Sequence, residues 1–508
     1  MMNNITDCKA VLANGSAIAW KSIPVLEYAD FANFIDEAIN ERALRCMAFF
    51  AVPESDAHRL IAILGNSADR CFEVLSMTVS GKYSSLTPRI PALHLFEREI
   101  WEQYGIVPEG HPWLKPVRFE HTDTSAEPPQ AAGTGKFFEM AGEAVHEVAV
   151  GPIHAGVIEP GHFRFQCMGE KVYSLEISLG YQHRGIENML RGNVSPKTIH
   201  LIETAAGDTS VAAAAAYALA VEGNTGKNPE AAVARLRAIA MELERIANHV
   251  SDLGALAGDV AYLPVASFCG RIRGEYLNMT ARICGNRFGR GIVRPETSGV
   301  KFDKNCADNI LKDLYRVYPE LIQALDMLFA SPTVLDRFEN TGNVSIEDTF
   351  TLGGIGVAAR ASGRKCDARY DWPASGVGYG DLIPSASFPA VAAGDVVSRA
   401  RVRYLEILNS HKWLFEVLEN IDEVAEYSRN RLPVLVGDTL SIGVTEAWRG
   451  EYCCVLLSDK DGGIRTAKIV DPSFHNWNML AMALRNEEIS NFPICNKSFN
   501  LSYCGHDL

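Results

Sequence analysis

The first 120 residues alternate between helix-like and strand-like hydrophobic spacing. Residues 31–44 carry apolar side chains at the three- and four-residue intervals of an amphipathic helix. Residues 47–52 and 59–65 are short apolar runs that are typical of strands. A further helix is predicted to end near Tyr104, because Gly105 and Pro108 follow it. This pattern predicts an α+β domain over residues 1–121.

The rest of the chain shows mostly helical periodicity after one strand pair. Residues 163–168 and 171–177 alternate in polarity on either side of a Gly169-Glu170 turn, which predicts a β-hairpin. Longer amphipathic stretches such as residues 229–249 follow it. Residues 122–142 are rich in Pro, Gly, Ser and Thr, so we place a linker at 122–147. We therefore expect residues 148–508 to form a mainly α-helical domain with a small N-terminal hairpin or sheet.

Composition narrows the class of protein. A net charge of −14 argues against a nucleic-acid partner. The longest apolar run, residues 211–221, is too short to span a bilayer and consists mainly of alanine, so we expect a buried helix. The N-terminus lacks a signal-peptide pattern, which favours a cytoplasmic chain or one peripheral on a membrane complex. The 12 dispersed cysteines contain no Cys-x-x-Cys pair and indicate reduced thiols, not a metal set.

One motif in the N-terminal domain supports a family resemblance. Glu97-Arg98-Glu99 is followed by Tyr104-Gly105-Ile106 and then by residues 109–114, EGHPWL. In order and spacing these residues resemble the signature of the 30-kDa hydrophilic subunit of respiratory complex I. Glu102-Gln103 departs from that signature, which has an aspartate there. The resemblance implies an α+β scaffold domain.

The larger domain resembles a second family, which has two branches. The resemblance rests on His183-Arg184-Gly185 with Glu187, and on five further stretches: residues 151–154, 159–163, 242–249, 352–371 and 445–451. One branch is the large subunit of energy-converting [NiFe] hydrogenases of the hydrogenase-4 and formate hydrogenlyase type. The other is the 49-kDa quinone-site subunit of complex I. The resemblance implies a large subunit fused to its 30-kDa-type neighbour.

The hydrogenase branch holds nickel through two Cys-x-x-Cys pairs. Carried over residue by residue, the four ligand positions are Ala206, Thr209, Ser502 and Gly505. None of these side chains supplies the thiolates that such a centre requires. The resemblance therefore implies a chain with no bound metal and no hydrogenase activity.

Three residues are candidates for a quinone and proton site: His154, His162 and Asp208. In the complex I branch the loop that carries His154 lies near the quinone headgroup, and the family's tyrosine falls near Gly207. A histidine titrates near neutral pH and can donate to a reduced quinone, while Asp208 could hold the proton. Alternatively, Asp208 caps the alanine-rich helix that follows.

The resemblance places His183, Arg184 and Glu187 beside the iron–sulfur cluster of a partner small subunit. A fixed arginine charge there raises a cluster's potential. The alternative is a buried Arg184–Glu187 pair that only holds the turn. For Glu244 and Arg245, on the core helix, we expect buried ion pairing.

Together these features predict a subunit of a membrane-associated oxidoreductase complex of complex I or hydrogenase type. It would couple electron transfer, with quinone as a candidate acceptor, to ion movement. The resemblance implies an iron–sulfur small subunit and antiporter-like membrane subunits as partners, at the inner face of the cell membrane. No cofactor is expected in the chain itself.

Two alternatives remain open. A quinone-site subunit of NADH–quinone oxidoreductase type predicts a headgroup-sized cavity lined by His154 and Asp208. A catalytically silent scaffold predicts that the ligand positions are packed shut by Ala206, the alanine run and Tyr503.

Overall fold

The computed structural model describes residues 8–120, 132–133, 135–156, 158–380, 393–428 and 432–508. Two main hydrophobic cores organise them, one under the N-terminal sheet and one among the helices of the larger unit. Of the predicted linker, residues 122–131 and 134 lie outside the described part. The predicted fold class, α+β followed by a mainly helical unit, is confirmed.

The N-terminal unit is built on a five-stranded sheet. Cys71–Val79 pairs antiparallel with both His58–Asn66 and Ala10–Leu12 and parallel with Val25–Leu26, while Arg45–Pro53 forms the far edge. Both predicted strands are therefore confirmed, each a few residues longer than its apolar run. The other elements of this unit are the strand pair Lys82–Ser84 and Val107–Glu109, the helices Tyr28–Asp36 and His94–Tyr104, the π-turn Glu37–Glu41, and the 3-10 turns Trp20–Ser22 and Pro91–Leu93.

The helix that carries the 30-kDa-type motif ends where its sequence predicts. His94–Tyr104 is followed by Gly105 at φ 67°, a left-handed cap that glycine adopts without strain. Glu97, Arg98 and Glu99 are all buried, so this helix presents charged side chains to the interior. Its far side faces the larger unit.

The two units share a sheet and a buried ion cluster. Ser16–Ala19 pairs antiparallel with Thr439–Ala447, which continues through Gly450–Ser458 to Ile464–Val470. Between the units, Lys468 Nζ lies 2.6 Å from both carboxylate oxygens of Glu99. An N-terminal strand therefore completes a sheet whose other strands lie more than 400 residues away in sequence.

The larger unit opens with a three-stranded sheet that contains the predicted hairpin, and it continues in helices. His162–Met168 pairs with Lys171–Ser178 on one side and with His146–Val150 on the other. Val293–Arg294 and Thr297–Ser298 form a small ribbon. The helices are Ile186–Met189, Thr198–Glu203, Ser210–Thr225, Ala231–Asp259, Leu263–Cys284, Lys304–Ala330, Pro332–Phe338, Ile346–Thr351, Gly356–Ala361, Ala368–Asp371, Val396–Glu419, Pro472–Ala483, Phe492–Phe499 and Tyr503–Asp507, with a 3-10 turn at Ile489–Asn491.

The alanine-rich helix Ser210–Thr225 is buried almost along its whole length, as predicted. Small side chains let it approach the sheet strand Thr439–Ala447 closely. At the crossing, a Cβ on Gly443 would lie 2.0 Å from the carbonyl oxygen of Ala216. Only glycine fits there, so the helix and the strand can lie this close together only at Gly443.

No helix among the described residues is both long enough and apolar enough to cross a membrane.

Candidate functional site

The resemblance points to the space between two segments, residues 204–209 and 500–508, which we call the central site. Arg184 joins them: Nη1 donates to Thr204 O at 2.7 Å, and Nη2 donates to Ala205 O at 2.9 Å and Cys504 O at 3.2 Å. Three carbonyl oxygens from both segments thus converge on one guanidinium. Arg184 therefore connects the two segments of the central site.

The turn around Arg184 is itself fastened to residues 507–508. The backbone N–H groups of Arg184 and Gly185 donate to Leu508 O at 2.8 and 3.1 Å. His183 Nδ1 donates to Asp507 O at 2.7 Å, and its Nε2 lies 3.6 Å from a Glu120 oxygen. Burial alone would lower the pKa of His183, but Glu120 and the Asp507 carbonyl stabilise the imidazolium and raise it. The turn therefore also links to the N-terminal unit.

The alternative of an Arg184–Glu187 pair is wrong. Glu187 instead accepts from Ile469 N at 2.8 Å and lies 3.2 Å from Lys468 Nζ. The Arg184 guanidinium is taken up by carbonyl groups and remains partly exposed. Arg184 and Glu187 therefore contact different residues and do not pair with each other. Whether His183, Arg184 and Glu187 face a partner's cluster stays a prediction.

The four ligand positions lie in a closely packed environment. Ala206 is fully buried, and Thr209 and Ser502 are 1% and 3% exposed. Ser502 Oγ accepts from Gly505 N at 2.9 Å, which caps a short helical turn. A Cβ on Gly505 would lie 2.5 Å from Asp471 Oδ2, so a larger side chain requires that carboxylate to move.

These positions do not fit a nickel–iron centre. They offer a methyl group, two hydroxyls and a hydrogen, where such a centre needs four thiolates. Cys504 offers a single thiol nearby. The backbone N–H of Cys504 donates to Glu159 Oε2 at 3.2 Å. Burial raises the pKa of Cys504, which disfavours the thiolate form. Among the described residues, no three His, Cys, Asp or Glu side chains are grouped to hold a metal ion.

Asp208 makes the strongest polar contact of the central site. Its carboxylate accepts from Arg449 Nη1 at 2.7 Å and Nη2 at 2.8 Å, and Arg449 Nε donates to Asn500 O at 2.6 Å. Burial alone would raise the pKa of Asp208, but the Arg449 guanidinium lowers it. The same arginine thus joins both segments and holds Asp208 ionised.

The alternative that Asp208 caps the alanine-rich helix is wrong. That helix begins at Ser210 after Thr209, and Asp208 points to Arg449 instead. The cap comes from another helix: Glu244 accepts from Val211 N at 2.8 Å and from Ala212 N at 3.2 Å. A carboxyl 33 residues away therefore satisfies the first turn.

The expected ion pairing holds for Arg245 but not for Glu244. Arg245 lies 3.2 Å from Glu242 and 3.4 Å from Glu406, all of them buried. Glu244 contacts backbone N–H groups, and burial raises its pKa to about 8. Glu244 is therefore a proton-carrying carboxyl at the N-terminus of the helix beside the central site.

This environment makes Glu244 visible in pH titrations. Because its folded pKa lies above the unfolded value of about 4.3, the native state binds the extra proton between them, and stability falls as pH rises through that window. We expect Glu244→Gln, whose single amide oxygen keeps only one of the two backbone contacts, to lose a slope of up to about 1.4 kcal/mol per pH unit. Urea unfolding from pH 5 to 8 measures it, and parallel curves for wild type and variant would contradict it.

The two histidine candidates brace their own loop. His154 Nε2 donates to Gly161 O at 2.8 Å, and His162 Nδ1 donates to Gly151 O at 3.2 Å. Because carbonyls only accept, His162 is protonated at Nδ1, and its Nε2 accepts from Arg164 Nε at 3.2 Å. Burial lowers the pKa of His162, which favours the neutral ring. Among the described residues, no hydrogen bond is formed by His154 Nδ1.

The structure brings His154 and Asp208 to different walls of the central site. The His154 loop reaches residues 500–508 through Glu159, which contacts Cys504, and through Gly161, which packs on Tyr503. Asp208 contacts Arg449, and its carbonyl accepts from Trp448 Nε1 and Asn248 Nδ2 at 2.9 and 3.0 Å. No hydrogen bond of the described residues joins His154 to Asp208.

Sequence reasoning missed Arg449 as a member of the site. Its signal was present, since Arg449 lies within the family-like stretch 445–451, but its partner Asp208 is 241 residues away. Trp448 precedes Arg449 in the same stretch, and its indole N–H supplies one of the two donors to Asp208 O.

Comparisons with known proteins agree with this architecture. Residues 26–129 match the family of the respiratory-chain NADH dehydrogenase 30 Kd subunit, and residues 259–439 match that of the 49 Kd subunit. Segments similar to these two subunit types are therefore joined in one chain. The resemblance inferred from the motifs is confirmed.

Its relatives come from both branches. Hydrogenase-4 component G of Escherichia coli is 26% identical over 87% of this chain and 79% of its own length. Formate hydrogenlyase subunit 5 of the same organism is 26% identical over 83% of this chain and 76% of its own length. The NADH-quinone oxidoreductase C/D protein of Bacteroides thetaiotaomicron is 26% identical over 76% of this chain and 81% of its own length.

Proposed function

We propose that this chain is the large subunit of a membrane-associated oxidoreductase complex, related to complex I and to energy-converting hydrogenases, in which the nickel–iron site has been lost. Its partners are an iron–sulfur small subunit and antiporter-like membrane subunits at the inner face of the cell membrane. The fused 30-kDa and 49-kDa architecture and relatives from both branches support this assignment.

One observation supports the proposed loss of the metal site. The Asp208–Arg449 pair, extended to Asn500 O, connects the two segments that carry the four ligand positions. A bidentate arginine–carboxylate contact is among the stronger and more directional polar contacts in proteins. It joins residues 204–209 and 500–508 through side-chain contacts of the protein itself.

The proposed activity is electron transfer to a quinone, coupled to ion movement through the membrane subunits. His154, with Nδ1 available, is the proposed proton donor or acceptor near the quinone headgroup. Asp208, ionised by Arg449, serves as a charge that orients neighbouring groups and not as a proton source. His162 stabilises the loop that carries His154 through its hydrogen bond to Gly151 O.

A second candidate is a catalytically silent scaffold. It is favoured by the packing of the central site, where Ala206 is fully buried and Tyr503 is 5% exposed. Ala212 to Ala216 of the alanine-rich helix are also buried. In a scaffold these residues close the space that a headgroup would occupy.

Purification of the tagged chain from native membranes tests the assignment. We expect an iron–sulfur small subunit and membrane subunits to co-purify with it, and recovery of the chain alone would contradict the proposal. In the isolated complex, His154→Gln should lower reduction of a short-chain quinone by about tenfold or more. His146→Gln, an exposed histidine on the neighbouring strand, is the control. Equal rates for both variants would favour the scaffold.

A further inference from the structure

A cavity of about 590 Å³ lies between the two fused units, and its lining includes none of the four ligand positions. Its walls come from the helix His94–Tyr104, the stretch 113–120, residues 135–137, the strand Lys171–Ser178, and the helix Pro472–Ala483. This volume is in the range of sites that hold organic ligands. The cavity exists only because the 30-kDa-type unit is packed on the larger one.

Five aromatic rings contribute to the lining. They are Trp101, Trp113, Phe119, Phe137 and Trp477. Two cations lie over one of these rings, with Arg98 Cζ at 5.6 Å and Lys115 Nζ at 5.4 Å from the Trp113 centroid. Such walls favour a flat aromatic ligand, which can stack on the rings and lie beside the cations.

The cavity lining holds three basic and three acidic side chains, but they are not all paired with one another. Arg98 is 8% exposed, and its guanidinium donates only to the neutral carbonyls of Lys115 at 2.7 Å and Pro116 at 2.8 Å. No carboxylate of the described residues lies within ion-pair distance of Arg98. Burial lowers the pKa of Arg98 to about 10, which still leaves it charged at neutral pH. A buried cation without an acidic partner is unusual and favours an anionic ligand.

The nearby carboxyl groups are already engaged or neutralised. Glu176 binds Lys115 Nζ at 2.6 Å and accepts from Phe138 N at 2.8 Å. Glu102 accepts from Val117 N at 2.9 Å through one oxygen, whereas its buried Oε1 has no hydrogen-bond partner. Burial raises the pKa of Glu102, so the orphan oxygen is suited to donate to a ligand when it is protonated.

We propose that this cavity binds a planar aromatic molecule with one acidic group. The rings stack against Trp113 and its aromatic neighbours, and the acidic group pairs with the guanidinium of Arg98. Its lining contains neither His154 nor Asp208, although His506 comes from the segment 500–508 of the central site. Dye binding to this cavity does not require quinone reduction, so it is tested separately from the proposed function.

The probe is 1-anilinonaphthalene-8-sulfonate, an aromatic anion with a planar naphthalene ring, titrated into the purified full chain with dye fluorescence as the readout. Ser178 lines the cavity, so Ser178→Phe should fill it and weaken binding by about tenfold or more. Ser174→Phe, on the same strand but outside the lining, should leave binding within about twofold of wild type. Equal binding by both variants would overturn the proposal, because the dye would then bind elsewhere.

The charge is tested separately with Arg98→Gln, which retains a donor for the two carbonyls. We expect it to weaken binding of the anionic dye by about tenfold, the effect of losing one charge-assisted hydrogen bond. Binding of the neutral analogue N-phenyl-1-naphthylamine should stay within about twofold. An equal loss for both dyes would overturn the anionic assignment. If Arg98→Gln does not fold, the salt dependence of dye binding to the wild-type protein is measured instead. Binding of the anionic dye that weakens more steeply with salt than binding of the neutral dye supports the anionic assignment. Binding of the anionic dye that does not change with salt overturns it.

Discussion

Replacement of Arg449 by leucine should lower the free energy of unfolding by about 3 kcal/mol, because it leaves carboxylates without their cation. Arg449 is 5% exposed at its side chain and binds both oxygens of Asp208. It is also the cation that opposes the buried Asp471, whose pKa is raised by burial. The expected loss lies at the lower end for buried pairs, since the Asp208 side chain is 35% exposed.

Urea unfolding with two companion variants tests this prediction. Arg449→Lys keeps the charge but not the two-pronged contact, so it should fall between wild type and Arg449→Leu. Arg282→Leu is the matched control: Arg282 contacts Asp313 at 2.8 Å but is 46% exposed, and its loss should cost about 1 kcal/mol or less. If Arg449→Leu costs no more than Arg282→Leu, the pair does not hold the central site together.

Gly443→Ala should be still more damaging, at about 3 kcal/mol or more, because the added methyl meets backbone that cannot yield. Its Cβ would lie 2.0 Å from Ala216 O and 2.7 Å from Ala220 N. To relieve this contact, the alanine-rich helix must move off the sheet, and the segment that carries Asp208 moves with it.

Gly270→Ala is the control for Gly443→Ala. Gly270 lies in the helix Leu263–Cys284, where a Cβ meets nothing within 4 Å, so alanine should be neutral or stabilising by up to about 1 kcal/mol. Thermal unfolding of both variants, with near-ultraviolet circular dichroism to follow tertiary packing, measures the difference. A Gly443→Ala protein as stable as wild type would show that the helix does not depend on this close approach.

Local features of the fold could be predicted from the sequence because their causes are local. Alternating polarity on either side of Gly169 gives the hairpin, and Gly105 ends its helix in the left-handed conformation that the sequence indicates. The buried alanine-rich helix follows from a run of small apolar residues. In each case the deciding residues lie within a few positions of one another.

Features that depend on distant partners could not be predicted. An Asp before a helix is ordinarily a good cap, but Arg449 competes for Asp208 from 241 residues away and Glu244 takes over the cap. The strand Ser16–Ala19 likewise has no local sign that it pairs with Thr439–Ala447. The motif resemblance predicted which segments form the central site. The contacts between those segments could be identified only from the structure.

Metal content per copy of the chain is the most direct test of the proposed loss of the nickel–iron site. The complex is purified from native membranes, and nickel and iron are quantified against this chain. We predict no nickel, together with iron at the level of the clusters on the small subunit. Nickel near one atom per chain would contradict the proposal, because Ala206, Thr209, Ser502 and Gly505 would then not be the ligand positions.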